Sequence, residues 1–201
     1  MSLPSTLIFD ANIIFNLYKL KLLKVTLLSI PHPITTDFVS EEIESPEWRE
    51  VKNAGMQAKG LNTKQTTDLY NTYTRIQEWN NNHKEKGHEE KEHYVSVNDV
   101  SLIILSKTRD ALILTDDEDL QKAAKREGCS FENLKWIVDE LGEAGIITPE
   151  QAIKAFTKTE SIMHCSCKQY IAKYQKRVER RVAEPDQGYV CETVISREYS
   201  R

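Results

Sequence analysis

The 201-residue sequence predicts an α/β fold: a three-layer sandwich with a mostly parallel central sheet, plus a helical C-terminal extension. Short apolar runs, Leu7–Phe9, Ile34–Thr36 and Ala111–Thr115, have the length and composition of buried strands. Each is followed by a stretch with helical apolar spacing, and strands alternating with helices form parallel sheets. Ala11–Leu23 is apolar nearly all round, which suits a helix held between other layers. The chain is long enough to bury a substantial core.

Taken in order, Leu7–Phe9 is the first strand and Ala11–Leu23 the first helix, broken by Pro31 and Pro33. Ile34–Thr36 is the second strand, and Asp37 is expected to cap a helix through Val39–Ile43. Pro46 marks a break before Glu47–Lys59, and Gly60 suits a C-cap. Asn62 or Thr63 opens the next helix, whose Leu69, Tyr70, Tyr73, Ile76 and Trp79 recur at helical spacing. Asn80–His93 is charged and poor in apolar residues, so an exposed loop or a solvated helix extension is expected.

Ser96 caps a helix over Val97–Lys107, and Ala111–Thr115 is the clearest strand. Asp117–Arg126 forms a helix ended by Gly128, Cys129–Phe131 a further strand, and Leu134–Leu141 another helix. Thr148-Pro149-Glu150-Gln151 is a strong helix start, with Thr at the cap, Pro at the first position and Gln at the third. That helix runs to about residue 159. A basic helix, Lys168–Val182, precedes a tail broken by Pro185 and Gly188. The expected division is residues 1–160 as one domain and 161–201 as a basic helical extension and tail.

A net charge of −4 excludes coating nucleic acid by bulk electrostatics, though local basic surfaces remain open. Cys129, Cys165, Cys167 and Cys191 show no disulfide framework, and no secretory apolar region follows Met1, so a cytoplasmic protein is expected. No apolar run approaches the roughly 18 residues of a membrane span.

Acids recur where strands give way to helices: Asp10, the Asp37–Glu42 region and Asp116-Asp117. Asp99 opens a helix with no strand directly before it. In an open parallel sheet these junctions share one edge, where ligands bind. Such acids also stabilise helix N-termini by roughly 0.3–1 kcal/mol. Ser96-x-x-Asp99 and Thr115-x-x-Glu118 fit capping boxes, so each acid alone is explained by its helix. Asp10 resists that explanation, because a carboxylate ending an apolar strand needs solvent, a hydrogen bond or a metal.

The ordered set resembles the motifs of PIN-domain nucleases. Leu7-Ile8-Phe9-Asp10-Ala11-Asn12 is similar to their opening strand and turn, and Val39-Ser40-Glu41-Glu42-Ile43 to their second acidic motif. Ser96-Val97-Asn98-Asp99-Val100-Ser101-Leu102-Ile103 resembles the third, and Leu114-Thr115-Asp116-Asp117-Glu118-Asp119-Leu120 the fourth. The resemblance covers roughly residues 5–160. The Asn80–His93 insertion and the tail after Thr159 have no counterpart in it.

What the resemblance implies is a metal-dependent endoribonuclease that hydrolyses RNA by a two-metal mechanism. Asp10, Glu42, Asp99 and Asp117 would be the catalytic and metal-binding acids, with Asp116 as the alternate for the fourth. Asn12 and Thr115 would orient water or phosphate. Mg²⁺ or Mn²⁺ suits such oxygen ligands. Many small members of this family are toxins of toxin–antitoxin pairs, so an antitoxin protein and a homodimer are implied partners, beside RNA or single-stranded DNA.

Lys168, Lys173, Lys176, Arg177, Arg180 and Arg181 lie close together with Glu179 as the opposing charge, a candidate surface for nucleic acid or a partner. Tyr170 and Tyr174 fall on one helical face among them, able to stack on bases or to dock on the domain itself. His83, His88 and His93 recur every five residues, which is no helical face, and read as a solvated loop. His164-Cys165-Ser166-Cys167 is a single cluster, where a structural zinc site usually draws ligands from two. Trp48, Trp79 and Trp136 read as packing. Two other enzyme or receptor classes end a strand in Asp. A haloacid-dehalogenase-type phosphatase needs a second Asp where Asn12 stands, and a phospho-receiver domain needs its acid pair early rather than late. A non-enzymatic PIN-like module, its acids serving only as caps, is the first alternative, and the dehalogenase-type phosphatase the lesser one.

Overall fold

The apolar runs become neighbours in one sheet. The computed structural model describes residues 3–43, 45–84 and 94–183. Among the described residues, five strands stand in the order β3 (Gln57–Lys59), β2 (His32–Thr36), β1 (Thr6–Phe9), β4 (Leu112–Leu114) and β5 (Phe131–Glu132), and every pairing is parallel. Helices α1 (Ala11–Leu20) and α2 (Leu23–Leu28) join β1 to β2, and α3 (Asp37–Ser40) and α4 (Ser45–Asn53) join β2 to β3. The chain then passes through α5 (Thr63–Lys84) and α6 (Val97–Arg109) to β4, and through α7 (Glu118–Arg126) to β5. Helices α8 (Leu134–Glu143), α9 (Pro149–Met163) and α10 (Lys168–Ala183) follow.

Leu7, Ile8 and Phe9 of the central strand are wholly buried, as expected for a parallel sheet covered on both faces. α1 packs on α2, α8 and α9, while α6 packs on β1, β2, β4, α5 and α7. This is the expected α/β sandwich. Among the described residues no helix is long and apolar enough to cross a membrane.

Several elements differ from the expectation, each for a local reason. The first helix stops at Leu20, because Lys21 is left-handed (φ 62°) and its N–H turns back to the Tyr18 carbonyl. β2 runs through Pro33 instead of starting after it. β3 pairs only from Ile34 onward, so at Pro33 the missing N–H costs no bond on that side. β3 itself was not expected: Gln57-Ala58-Lys59 is an edge strand without an apolar signature. Thr36, not Asp37, caps α3, its hydroxyl accepting from the Val39 N–H at 3.3 Å. Asn62 and Gln65 form a reciprocal cap on α5. Thr148 and Gln151 form the expected box on α9.

α10 lies against α9 and α8. Tyr170 stacks on Phe156 with ring centroids 4.7 Å apart, and Tyr174 and Cys167 are wholly buried within the same apolar cluster as the sheet. Gly142 makes this possible, since a Cβ there would overlap the Tyr174 hydroxyl. Residues 85–93, the side chain of His83, and Pro185, Gly188 and Cys191 lie outside the described residues.

Candidate functional site

From β1 the chain proceeds to β2 and β3 on one side and then to β4 on the other, so the strand order reverses between β1 and β4. The crevice beyond the carboxyl ends at such a point is where open α/β sheets bind ligands. Asp10 leaves β1 there. Its N–H continues the ladder to the Leu114 carbonyl at 3.1 Å, which fixes it beside the end of β4. Thr115, Asp116 and Asp117 leave β4 at the same level.

Asp10 is only 5% exposed. Its Oδ2 accepts a hydrogen bond from the Thr115 hydroxyl at 2.9 Å. Burial raises its carboxyl from 3.8 to about 7; the Thr115 bond opposes the rise, and the charges of Asp99 and Asp117 add to it. Asp99 is raised as well, again by burial first, against its bonds to Ser96 and with contributions from Asp117 and Glu42. Four acids separated by up to 107 positions in sequence (117 − 10) thus share one electrostatic neighbourhood. Among the described residues no lysine or arginine forms an ion pair with any of them.

Capping and site-building turn out to be compatible. Asp99 Oδ2 accepts from the Ser96 N–H and hydroxyl, both at 2.8 Å, completing the expected capping box on α6. Asp117 Oδ1 accepts from the Asp119 and Leu120 N–H groups at 2.7 and 3.0 Å, capping α7. In each case the cap occupies one oxygen and holds the carboxylate in a fixed orientation, with the second oxygen beyond the cap. The expected Thr115–Glu118 box does not form. Asp117 is the cap, and the Thr115 hydroxyl accepts from the Asp117 N–H at 3.1 Å while donating to Asp10. Thr115 therefore links two of the acids.

Of the Asp pair, Asp117 turns toward Asp10 and Asp99. Asp116 turns away: its Oδ1 accepts from the Leu134 N–H at 3.1 Å, Asn16 and Lys135 are its neighbours, and its buried Oδ2 has no hydrogen-bond partner. Burial raises the Asp116 carboxyl too. Glu42 is exposed just past α3 and takes a hydrogen bond from the Asn98 amide. Asn98 had no assigned role in the sequence; its place one residue before Asp99, in the first turn of α6, was the available signal. Asn12 is exposed in the first turn of α1. Thr36 and Ser101 join hydroxyls at 2.7 Å, tying the end of β2 to α6 and so Glu42's segment to Asp99's helix.

Among the described residues no three His, Cys, Asp or Glu side chains already stand at metal-ligand spacing. The donor chemistry nevertheless fits a hard divalent cation. All four groups offer carboxylate oxygens, and the most buried of them, Asp10, has no positively charged partner among the described residues.

Of the two arrangements left open for the basic helix, the structure shows docking on the domain itself. Tyr174 is buried and Tyr170 lies on Phe156, so neither tyrosine is a base-stacking platform. Lys173 pairs with Asp139 and Glu143 at 2.7 and 2.6 Å, and Arg177 with Glu143 at 2.6 Å. These cations hold α10 onto α8. Lys168, Lys176, Arg180 and Arg181 are exposed. No protein-family model matches this chain, and no curated protein matches its sequence.

Proposed function

We propose that the protein is a metal-dependent endoribonuclease of the PIN type, with Asp10, Glu42, Asp99 and Asp117 as its acidic site and Mg²⁺ or Mn²⁺ as its cofactor. One observation carries this reading: Asp10, buried at the switch point of the sheet, is raised to about 7 by its burial and by two further acids, with no basic side chain among the described residues paired to it. Burying an uncompensated carboxylate is costly, and clustering acids around it raises the cost. A bound divalent cation removes that cost.

The four carboxylates would hold the cation directly or through water. When bound, such a metal acts as a Lewis acid on phosphate oxygens and makes a coordinated water a nucleophile near neutral pH. The chain's own contribution is orientation. The caps on α6 and α7 fix Asp99 and Asp117, and Thr115 fixes Asp10 against the end of β4. Asn98 steadies Glu42, and Asn12, exposed in the first turn of α1 just after Asp10, would orient substrate. A role as the toxin of a toxin–antitoxin pair, with a protein antitoxin and a homodimer as partners, is the biological setting this chemistry suits.

The test is cleavage of single-stranded RNA with Mg²⁺ or Mn²⁺, repeated with chelator and with Asp10→Asn and Asp117→Asn. Loss of cleavage in all three supports the reading. Equal cleavage by wild type and both variants overturns it, as does hydrolysis of small phosphate esters without any cutting of RNA.

A further inference from the structure

An acidic site repels the phosphodiester chain it is proposed to cut, so substrate needs positive charge close by but outside the acids. α8 and α10 supply it in a definite direction. The N-terminus of α8 lies at the same strand-end edge of the sheet, where the Leu134 N–H donates to Asp116, the acid that turns away from Asp10. Lys135, the next residue, is within electrostatic range of both Asp116 and Cys167, the residue that precedes α10. Farther along, Lys173 meets Asp139 and Arg177 meets Glu143, so α10 runs alongside α8 in the same direction. α10 therefore begins beside the acid edge and leads away from it.

Its two sides have separate duties. Cys167, Tyr170, Ile171 and Tyr174 pack inward, and Lys173 and Arg177 are bound to α8 acids. The outward arc carries Lys168, Lys176 and Arg180, all exposed, with Ala172 and Gln169 between them and Glu179 as its acid. From residue 168 to 180 a helix extends roughly 18 Å.

We infer that Lys135, Lys168, Lys176 and Arg180 form a track that holds the phosphate backbone of single-stranded RNA leading into the acid edge. The inference rests on the nuclease reading of that edge. With the tyrosines packed inward, the track contacts phosphates and not bases, so binding is independent of sequence and strongly dependent on salt.

The experiment uses the full chain carrying Asp10→Asn, fluorescein-labelled oligouridine and anisotropy across a salt series. Reversing Lys168, Lys176 and Arg180 to Glu should weaken binding at least tenfold. It should also flatten the slope of log K against log salt by about 2, since each phosphate contact on a single strand contributes ~0.7. Reversing exposed Lys24, Lys52 and Lys64 on other elements is the control for net charge. Equal losses in both triple variants, or no loss in the first, overturn the track. Binding of polyglutamate with no binding of RNA overturns it in favour of an acidic protein partner. Failure of the nuclease reading is seen separately, as absent metal-dependent cleavage by the wild type.

Discussion

Two groups of acids in this molecule have opposite surroundings. On α8, Asp139 and Glu143 face Lys173 and Arg177 at 2.6–2.7 Å, and those bonds hold the Glu143 carboxyl below its ordinary value. At the sheet edge, burial first, and the charges of neighbouring acids after it, raise the carboxyls of Asp10 and Asp99. Residue type does not separate the groups; the origin of the counter-charge does. The α8 acids receive it from the chain itself and serve to fasten a helix. The edge acids form no ion pair with a lysine or arginine among the described residues, and on the proposed reading a cation would supply their counter-charge.

The contrast breaks most visibly in catalysis. On the proposed nuclease reading, Asp117→Asn should reduce RNA cleavage by about 1,000-fold, the several kcal/mol expected for a lost metal ligand. Glu143→Gln should leave the cleavage rate per folded molecule unchanged. Assays at matched metal concentration, with circular dichroism to confirm folding, make the comparison. Comparable losses in both variants would erase the distinction between the groups.

Stability against pH gives the next largest effect. The folded Asp10 carboxyl sits at about 7, above its ordinary 3.8, so folding favours the protonated form. That contribution is complete below pH 3.8 and disappears as pH rises through about 7. Metal-free wild type should therefore lose stability relative to Asp10→Asn over this window, by up to about 4 kcal/mol. Denaturant titrations at pH 5 and pH 8 capture about 3 kcal/mol of it, the part lost above pH 5. Mn²⁺ should recover the loss at pH 8 in the wild type and not in the variant. A wild type that stays as stable as Asp10→Asn at pH 8 without metal would show that the acid edge carries no electrostatic strain.

The edge was more legible in the sequence than the α8–α10 joint, and locality explains why. Asp10, Asp99 and Asp117 sit at strand exits and helix starts, where a cap and the residue it serves are at most three positions apart. Their convergence follows from parallel topology, which alternating strands and helices predict. The fate of Lys173, Tyr174 and Arg177 depends on residues 34 or 35 positions earlier, so a basic amphipathic helix looked equally suited to solvent and to packing. β3 escaped notice because an edge strand of Gln, Ala and Lys has no apolar alternation to read. The resemblance favours Asp117 over Asp116, and it is the charge of Asp117 that bears on Asp10 and Asp99.

A smaller effect sharpens the comparison from the other side. Gly142→Ala places a methyl group against the Tyr174 hydroxyl. Overpacking of this kind costs about 1–3 kcal/mol. It should lower the denaturation midpoint without changing the cleavage rate of folded protein. A parallel fall in cleavage would show that the two regions are mechanically coupled.

The smallest expected effect falls on Thr115, which belongs to the edge yet carries no charge. Its hydroxyl donates to Asp10 and accepts from the Asp117 N–H, so Thr115→Val removes both links while keeping the shape of a wholly buried side chain. A lost supporting hydrogen bond beside a metal ligand typically costs about 10-fold or more in activity. The Thr115 bond favours the ionised form of Asp10, so its removal raises that carboxyl further. The acid limb of the pH–rate profile should therefore move to higher pH in Thr115→Val and return in Thr115→Ser. A purely packing role predicts a lower rate with an unmoved profile, because an apolar replacement of equal volume leaves the ionisation of Asp10 untouched only if the hydroxyl never bore on it.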